Sequence, residues 1–338
     1  MGEDFFCGRE ALTKQHFLVT GGTGFIGSAI TRRLIREGHR VRVIDNNSRG
    51  AERRLSDVRG EFELIVADIR DPDIVNRAVR GVDAVHHLAF VNGTEFFYSM
   101  PETVLEVGIK GMLNVIDACQ KQAVGKLFVA SSSEVYQTPP RIPTDENVPL
   151  VVPDPLNPRY SYGGGKIISE LLAINFGRKH FERVVIYRPH NIYGSDMGAE
   201  HVIPQLALRM SRLCQEHPQG TIPLPIQGKG KETRSFCHIE DFIQGVMLVQ
   251  EHGAHLNIYH IGTTEEITVA DLAYQVAACF GRDIEIKPGE LTEGSTLRRC
   301  PDIRKLIGLG YSPRVPLAQG LPAVCRWYRD NANGGTVQ

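Results

Sequence analysis

Short apolar segments alternate with longer amphipathic stretches along most of this chain. Seven segments have the length and composition of strands, at residues 16–20, 39–45, 62–67, 83–89, 126–131, 183–188 and 256–262. Strands separated by helices pair in parallel through right-handed crossovers, with helices covering both faces of the sheet. The pattern therefore predicts an α/β fold with a doubly wound parallel sheet of the Rossmann type. Such sheets bind ligands at the carboxyl ends of their strands.

The regular alternation ends after Arg188. Glycine and proline interrupt residues 190–233 and again residues 280–320, which is typical of loops and short elements. We therefore expect a dinucleotide-binding Rossmann domain at 1–189, completed by about 234–262. A smaller, interleaved C-terminal lobe at 190–233 and 263–338 is expected to bind the substrate.

The charges of the chain are balanced, since 38 Lys and Arg residues against 39 Asp and Glu residues give a net charge of −1. A balanced protein has no overall field that attracts nucleic acid or an anionic membrane. The sequence has no apolar run long enough to span a bilayer, and its opening segment MGEDFFCGRE has no signal-peptide core. Its seven cysteines lack metal-binding spacing, as in reduced cytosolic proteins. We expect a cytoplasmic protein without a metal site that binds neither nucleic acid nor membranes.

A glycine-rich loop, GGTGFIG, follows the first predicted strand and leads into a helical pattern at 28–38. Gly21 permits a tight turn, Gly24 lets backbone amides approach a pyrophosphate, and Gly27 lets the helix pack closely on the strand. The helix N-terminus adds partial positive charge for the phosphates. The loop therefore predicts a dinucleotide site.

The second predicted strand ends at Asp45. A carboxylate there can accept hydrogen bonds from both adenosine ribose hydroxyls, which favours NAD over NADP because a 2′-phosphate would meet a like charge. Arg49 lies close enough in the sequence to leave NADP open. Asp68 follows the third predicted strand, where it can either contact the adenine or cap the next turn.

A tyrosine and a lysine, Tyr162 and Lys166, lie four residues apart in YSYGGGKIISE. On a helix this spacing places both on one face, one turn apart. A free phenol has a pKa near ~10, and a neighbouring ammonium lowers that pKa by favouring the phenolate. We therefore expect Tyr162 to take a proton from a substrate hydroxyl while the carbon gives hydride to nicotinamide.

The motifs together resemble the extended short-chain dehydrogenase/reductase family of nucleotide-sugar epimerases, dehydratases and decarboxylases. The resemblance rests on the glycine loop, Asp45, Ala67-Asp68-Ile69 and His87-Leu88-Ala89, and covers about 17–327. It implies an NAD-dependent enzyme that acts on a nucleotide-diphosphate sugar, and a homodimer paired through helices around 102–123 and 161–180. The implied cofactor contacts are Gly21, Gly24, Phe25, Ile26, Gly27, Asp45, Asn46, Asp68, Ile69, Leu88, Ala89, Tyr162 and Lys166.

The same resemblance assigns roles in a substrate site. Ser132, in the segment ASSSEVY (130–136), corresponds to the family residue that hydrogen-bonds the reacting hydroxyl. Lys166 corresponds to the residue that holds the nicotinamide ribose. The implied catalytic set is Tyr162, Lys166, Ser132 and Glu134. The implied substrate contacts are Thr94, with its neighbour Glu95, Ser132, Ser133, Asn191, which binds the diphosphate, and Arg234 and Arg299, whose forked guanidinium groups suit phosphates.

The event that follows oxidation at sugar C4 stays open. Dehydratases of this family have an Asp-Glu pair after the catalytic Ser or Thr. This chain has Ser133-Glu134, which resembles the UDP-glucuronate decarboxylases, although many plain epimerases share it. We expect a nucleotide-sugar 4-epimerase first, a UDP-glucuronate-type decarboxylase next and a dehydratase third. The alternative without enzymatic activity is an NAD-binding sensor or interaction module.

The chain departs from the family pattern close to the predicted catalytic tyrosine. Gly108 stands where relatives usually have an asparagine, Gln137 replaces the usual glycine after Tyr136, and Gly163–Gly165 replace the usual Asn and Ser before Lys166. None of these changes removes a reacting group. They leave the packing around Tyr162 for the structure to define.

Overall fold

The computed structural model describes residues 14–290 and 296–332. The opening segment 1–13, with Cys7, therefore lies outside the described residues. The strands are β1 (His16–Thr20), β2 (Arg40–Asp45), β3 (Phe62–Val66), β4 (Ala84–His87), β5 (Lys126–Ala130), β6 (Arg183–Pro189), β7 (Ile192–Tyr193), β8 (Ile222–Ile226), β9 (Thr233–Ser235), β10 (Cys237–His238), β11 (Asn257–Ile261), β12 (Glu266–Thr268), β13 (Ile284–Pro288) and β14 (Arg298–Arg299). The helices are α1 (Phe25–Arg36), α2 (Pro72–Val79), α3 (Thr94–Ser99), α4 (Pro101–Lys121), α5 (Ser161–His180), α6 (Val202–Glu216), α7 (Ile239–His252), α8 (Val269–Cys279), α9 (Arg304–Ile307) and α10 (Leu317–Asn331).

The main sheet has seven strands in the order β11-β6-β5-β4-β1-β2-β3, and every neighbouring pair is parallel. These are the seven strands predicted from the sequence, each within one or two residues of its predicted limits. The doubly wound fold is therefore confirmed. The strand order reverses between β1 and β4, and the carboxyl ends of these strands border the crevice where such sheets bind ligands.

Helices cover both faces of this sheet. Ile30 and Leu34 of α1 and Phe242 and Val246 of α7 lie in the apolar core on one face. On the other face, α2, α4 and α5 pack around residues such as Met112. Both α7 and β11 fall within 234–262, the segment expected to complete the Rossmann domain. The domain limits themselves stay a prediction.

The C-terminal lobe contains more regular structure than its glycine and proline content indicates. Helices α6, α8 and α10 pack together with β8 and β13 around a separate apolar core. Pro204 lies in the first turn of α6, where backbone N–H groups have no helical partner, so the ring costs the helix little. Pro223 and Pro225 lie in β8, which pairs with only one strand, β13, in its two-stranded sheet.

Two further predictions concern membrane-spanning helices and the state of the cysteines. No helix within 14–290 and 296–332 is long and apolar enough to cross a bilayer. The six cysteines in these ranges are free thiols.

Candidate active site

A cavity of about 650 Å³ lies at the carboxyl ends of the central strands, between the sheet and the C-terminal lobe. Its volume is in the range of small-molecule and cofactor sites. The structure brings nearly every predicted site residue to this cavity: it is lined by Gly21, Gly24, Phe25, Ile26, Gly27, Asp45, Asn46, Asp68, Ile69, Leu88, Ala89, Thr94, Ser132, Ser133, Glu134, Tyr162, Lys166, Asn191 and Arg299. Arg234 and Glu95 are the exceptions among the predicted residues.

The glycine loop leaves room for a ligand and none for side chains. A Cβ added to Gly27 would lie 2.0 Å from the carbonyl oxygen of Gly21, and one added to Gly21 would lie 2.8 Å from the amide nitrogen of Ala89. Gly24 is the N-cap of α1, and no side chain caps the helix there. The first amides of α1 are therefore available to phosphate oxygens, and the loop fits a dinucleotide.

Asp45 is buried beside this loop. One carboxylate oxygen accepts from the backbone N–H of Thr23 at 3.0 Å and the other from that of Asn47 at 2.9 Å. Each oxygen keeps a lone pair for a ribose hydroxyl. Arg49, which left NADP open, is instead paired with Glu200 of the C-terminal lobe.

Asp68 closes a turn and also lines the cavity, and its contact with the adenine stays a prediction. It accepts from the backbone N–H of Arg70 at 2.8 Å, which closes the turn. The hydrogen bond and charge of Arg70, at 2.7 Å, lower the pKa of Asp68. Asn46 donates to the same carboxylate at 3.3 Å, so these polar groups are held together where the cofactor's adenine is predicted to bind.

Tyr162 lies in the first turn of α5, buried between two aromatic rings. The ring of Phe97 stacks on it with centroids 4.9 Å apart, and Phe90 meets it edge-on at 5.2 Å. Against the larger effect of burial, Ser132 acts to lower the pKa of Tyr162, and its side chain accepts from the backbone N–H of Glu134 at 3.1 Å. The predicted partners Tyr162 and Ser132 therefore line the same cavity.

Lys166 is buried one turn further along α5. Its ammonium donates to the carbonyl oxygen of Ala130 at 2.6 Å and lies 4.1 Å from the ring centroid of Phe90. Burial lowers the pKa of Lys166 to about 7, although the charge of Glu170 opposes this shift. Burial likewise raises the pKa of Tyr162. The expectation that the lysine lowers the pKa of the tyrosine is therefore wrong for this arrangement, because desolvation of the phenolate outweighs neighbouring charge.

Glu134 forms an ion pair that was not predicted. Its carboxylate accepts from Arg299 at 2.7 Å. Burial acts to raise the pKa of Glu134, but Arg299, followed by Arg159 and Arg234, lowers it overall. Glu134 is thus held in its charged form, and Arg299 lies at the catalytic end of the cavity.

The remaining predicted substrate contacts are held by the lobe. Asn191 lines the cavity and donates to the carbonyl oxygen of Ser235 at 3.0 Å. Arg234 does not line the cavity, because its guanidinium donates to the carbonyl oxygens of Thr233 at 2.8 Å and Thr296 at 2.7 Å. Burial lowers its pKa to about 10, with a further contribution from Arg299.

The glycines that depart from the family pattern pack closely against larger side chains near Tyr162. A Cβ added to Gly108 would lie 2.2 Å from the ring of Phe90, and one added to Gly165 would lie 3.1 Å from it. A Cβ on Gly163 would lie 2.5 Å from the amide nitrogen of Gln137, which donates to the carbonyl oxygen of Glu134 at 2.6 Å. Glycine is therefore present where Phe90 and Gln137 fill the space around the tyrosine.

Sequence reasoning missed part of the cavity wall. The loop after β4 contributes residues 90–93, α3 contributes Phe96 and Phe97, and the lobe contributes Met197, Gly198, Glu200 and His201. The aromatic run at 96–98, directly after Thr94 and Glu95, was a signal in the sequence for the first group. No local sequence motif indicates the residues that the lobe contributes.

The model of the NAD dependent epimerase/dehydratase family matches residues 17–262. The chain belongs to this family. It is 32% identical over 314 residues to UDP-glucuronic acid decarboxylase 6 of Arabidopsis thaliana, covering 92% of this chain and 88% of the relative.

Solved structures agree with this assignment. The dTDP-glucose 4,6-dehydratase DesIV of Streptomyces venezuelae, solved with NAD, has a TM-score of 0.82 and 30% identity, covering 96% of this chain and 99% of that one. The UDP-glucose 4-epimerase of Thermotoga maritima, solved with UDP-glucose, has a TM-score of 0.83 and 26% identity, covering 94% and 99%. The predicted fold, NAD dependence and enzyme class are therefore confirmed. The plain 4-epimerase expected first is not.

Proposed function

We propose that this enzyme oxidises a nucleotide-diphosphate hexuronate of the UDP-glucuronate type at C4, releases its C5 carboxylate as carbon dioxide and then reduces C4 again. The observation that carries the proposal is the Glu134–Arg299 ion pair of 2.7 Å beside the catalytic hydroxyls. Epimerisation at C4 itself uses no charged pair at this place, although many plain epimerases share the Ser-Glu sequence. The relative named above as a UDP-glucuronic acid decarboxylase supports the same reaction.

The charge around Glu134 favours an anionic sugar. Three guanidinium groups, those of Arg299, Arg159 and Arg234, act on the pKa of this carboxylate. Glu134 and Glu232 act in turn on the pKa of Arg234. Of the three arginines Arg299 lines the cavity, and a forked guanidinium suits a carboxylate. A C5 carboxylate is stabilised there, whereas a neutral hydroxymethyl group gains little.

The side chains divide the work of the first step. Tyr162 accepts the proton of the C4 hydroxyl, and Ser132 donates to the C4 oxygen as it becomes a carbonyl. Bound NAD supplies the acceptor and later the donor of the C4 hydride, and its oxidised ring adds the positive charge that a buried phenolate needs. Lys166 holds the cofactor ribose from the same helix face as the tyrosine.

The second step uses the ketone that the first has made. When the C5–carboxylate bond breaks, its electron pair moves into the C4 carbonyl, and the enolate oxygen lies between the hydroxyls of Ser132 and Tyr162. Carbon dioxide leaves and C5 takes a proton from a water that the charged Glu134 orients. The hydride and the proton then return to C4 and its oxygen, so the reaction is redox-neutral overall.

Two other outcomes use the same C4 chemistry. Dehydration needs an acid for the leaving hydroxyl, and the buried Ser133 stands where dehydratases of the family have an aspartate. Epimerisation at C4 is the second candidate, because it needs only Ser132, Tyr162 and Lys166, and the Thermotoga maritima epimerase shares the fold at 26% identity.

The test is incubation of the NAD-loaded enzyme with UDP-glucuronate, UDP-glucose and dTDP-glucose, with mass and stereochemistry read by mass spectrometry and NMR. We expect UDP-glucuronate alone to react, with loss of carbon dioxide. Unchanged mass with inversion at C4 would replace the proposal by an epimerase, and loss of water by a dehydratase.

A pair of variants tests the part played by the ion pair. Glu134→Gln keeps the shape of the side chain and removes its charge, so we expect decarboxylation to fall about 100-fold or more. Glu266→Gln is the matched control, because Glu266 also pairs with an arginine, Arg298, at 2.7 Å, but neither residue lines the cavity. Equal activity of the two variants would contradict the proposed role of Glu134.

A further inference from the structure

A group of ion pairs crosses the cavity from the loop after β2 to the segment before α6. Arg53 and Arg54 both pair with Asp196, and Arg49 pairs with Glu200. These five residues are called the cross-cleft clamp below. Three of them, Arg49, Arg54 and Glu200, line the same cavity as the glycine loop. The clamp therefore connects the dinucleotide side of the cavity to the substrate lobe.

Asp196 is the centre of the clamp. Arg54, with a side chain only 9% exposed, donates to its carboxylate at 3.1 Å and to its backbone carbonyl at 3.2 Å. Arg53 donates to the same carboxylate, with its Nη2 2.8 Å from Asp196 Oδ1. Asp196 has a φ of 62°, a left-handed conformation that is uncommon outside glycine. Hydrogen bonds from two arginines hold it there.

The clamp is also attached to the glycine loop itself. The backbone N–H of Ala51 donates to the carbonyl oxygen of Thr23 at 3.0 Å, and Arg54 donates to the same oxygen at 3.4 Å. A Cβ added to Gly50 would lie 1.9 Å from the Thr23 hydroxyl. The segment that carries the three arginines is thus seated on the loop predicted to bind the pyrophosphate.

Arg49 extends across the cavity from that segment. Its guanidinium lies 4.6 Å over the ring of Phe96 and pairs with Glu200. Gly93, with a φ of 133°, makes this approach possible, since an added Cβ would lie 3.1 Å from Glu200 Oε1 and 3.2 Å from Arg49 Nη1. Three separate segments meet at this guanidinium without space for another side chain.

We propose that the cross-cleft clamp retains NAD between turnovers, because three of its residues line the cavity that holds the glycine loop and their ion pairs keep its two sides together. The glycine loop and Asp45 hold the cofactor from the sheet side, and the clamp closes from the lobe side over the same cavity. Retention suits a reaction in which one NAD molecule must return the hydride it has taken. The inference rests on NAD binding and is independent of which sugar reacts.

The experiment measures the rate at which NADH leaves the full-length protein. NADH-loaded enzyme is mixed with excess NAD, and the loss of bound-NADH fluorescence gives the release rate. We expect Asp196→Asn to release NADH about tenfold faster than wild type, since a hydrogen bond to a charged partner is worth about that factor. Raising the salt concentration should accelerate release more in wild type than in the variant, because salt screens the ion pairs.

Glu37→Gln is the matched control. Glu37 is 22% exposed, against 18% for Asp196, and it pairs with Arg33 on α1 away from the cavity. Urea unfolding of the NAD-free proteins separates a loss of stability from a loss of retention. If Asp196→Asn does not fold, Arg53→Gln is the second variant. It removes one of the two arginines that pair with Asp196, and the Arg53 side chain is 39% exposed. We expect this variant to accelerate NADH release less than Asp196→Asn. Release at the wild-type rate, or equal acceleration by the control, would overturn the proposal.

Discussion

Replacing Lys166 by methionine removes a buried ammonium while keeping most of the side-chain volume. Burial lowers the pKa of Lys166 from its ordinary 10.5 to about 7. Between these values the unfolded chain binds a proton at this residue that the folded chain does not. The free energy of unfolding of the NAD-free wild type therefore rises with pH through this window, and it is lowest below pH ~7. Lys166→Met lacks this dependence and should be the more stable protein in acid.

The size of the effect follows from the two pKa values. Each pKa unit corresponds to about 1.36 kcal/mol, so the interval from 10.5 to about 7 is worth about 5 kcal/mol over the whole window. Between pH 6 and pH 9 the same linkage relation gives about 2–3 kcal/mol. That is a large fraction of the stability of an ordinary domain. The lysine is thus kept at a cost in stability, as expected of a residue needed for catalysis.

The assay is urea unfolding of the NAD-free proteins at pH 6 and pH 9, followed by the fluorescence of Trp327, the only tryptophan of the chain. For each protein, the free energy of unfolding at pH 6 is subtracted from that at pH 9. The value for Lys166→Met is then subtracted from the value for the wild type. Lys110→Met is the control, because Lys110 is 61% exposed on α4. A difference below about 0.5 kcal/mol for Lys166→Met would refute the description of this ammonium as desolvated.

Three further predictions concern the reaction, the cofactor and the assembly. Tyr162→Phe removes only the proton acceptor, so we expect kcat to fall about 10²–10⁴-fold while the NAD content of the purified protein stays unchanged; near-normal turnover would exclude Tyr162 as the base. Gly27→Ala would place a Cβ 2.0 Å from the Gly21 oxygen, so we expect calorimetry to show NAD binding weakened about tenfold or more, and unchanged affinity would show that the loop can yield. Leu171 and Ile168 of α5 are 54% and 38% exposed, as suits a dimer paired through this helix. We expect light scattering to find a wild-type dimer and a monomeric Leu171→Glu variant, whereas a wild-type monomer at micromolar concentration would contradict the predicted homodimer.

The sheet and the cofactor loop could be predicted from the sequence because their signals are local. A strand shows itself by its apolar residues, and the turn at Gly21–Gly27 needs glycine for steric reasons that hold in any protein of this fold. The spacing of Tyr162 and Lys166 likewise fixes their common helix face. For these features the prediction needed no knowledge of distant residues.

The electrostatics of the site could not be predicted, because they depend on residues far apart in the chain. Glu134 and Arg299 meet across 165 positions, and no local pattern specifies that contact. The raised pKa of Tyr162 comes from its burial, and Phe90 and Phe97 pack on its ring, so a helical spacing alone gave the wrong direction.

The central claim is that the hydrogen at C4 of the sugar is removed and then returned at the site of Tyr162. The most direct test uses UDP-glucuronate carrying deuterium at C4, converted by the NAD-loaded enzyme in ordinary water and examined by NMR and mass spectrometry. We expect a UDP-pentose that keeps its deuterium at C4 and has gained one hydrogen from water at C5. Loss of the deuterium to water, or carbon dioxide release by Tyr162→Phe at the wild-type rate, would contradict it.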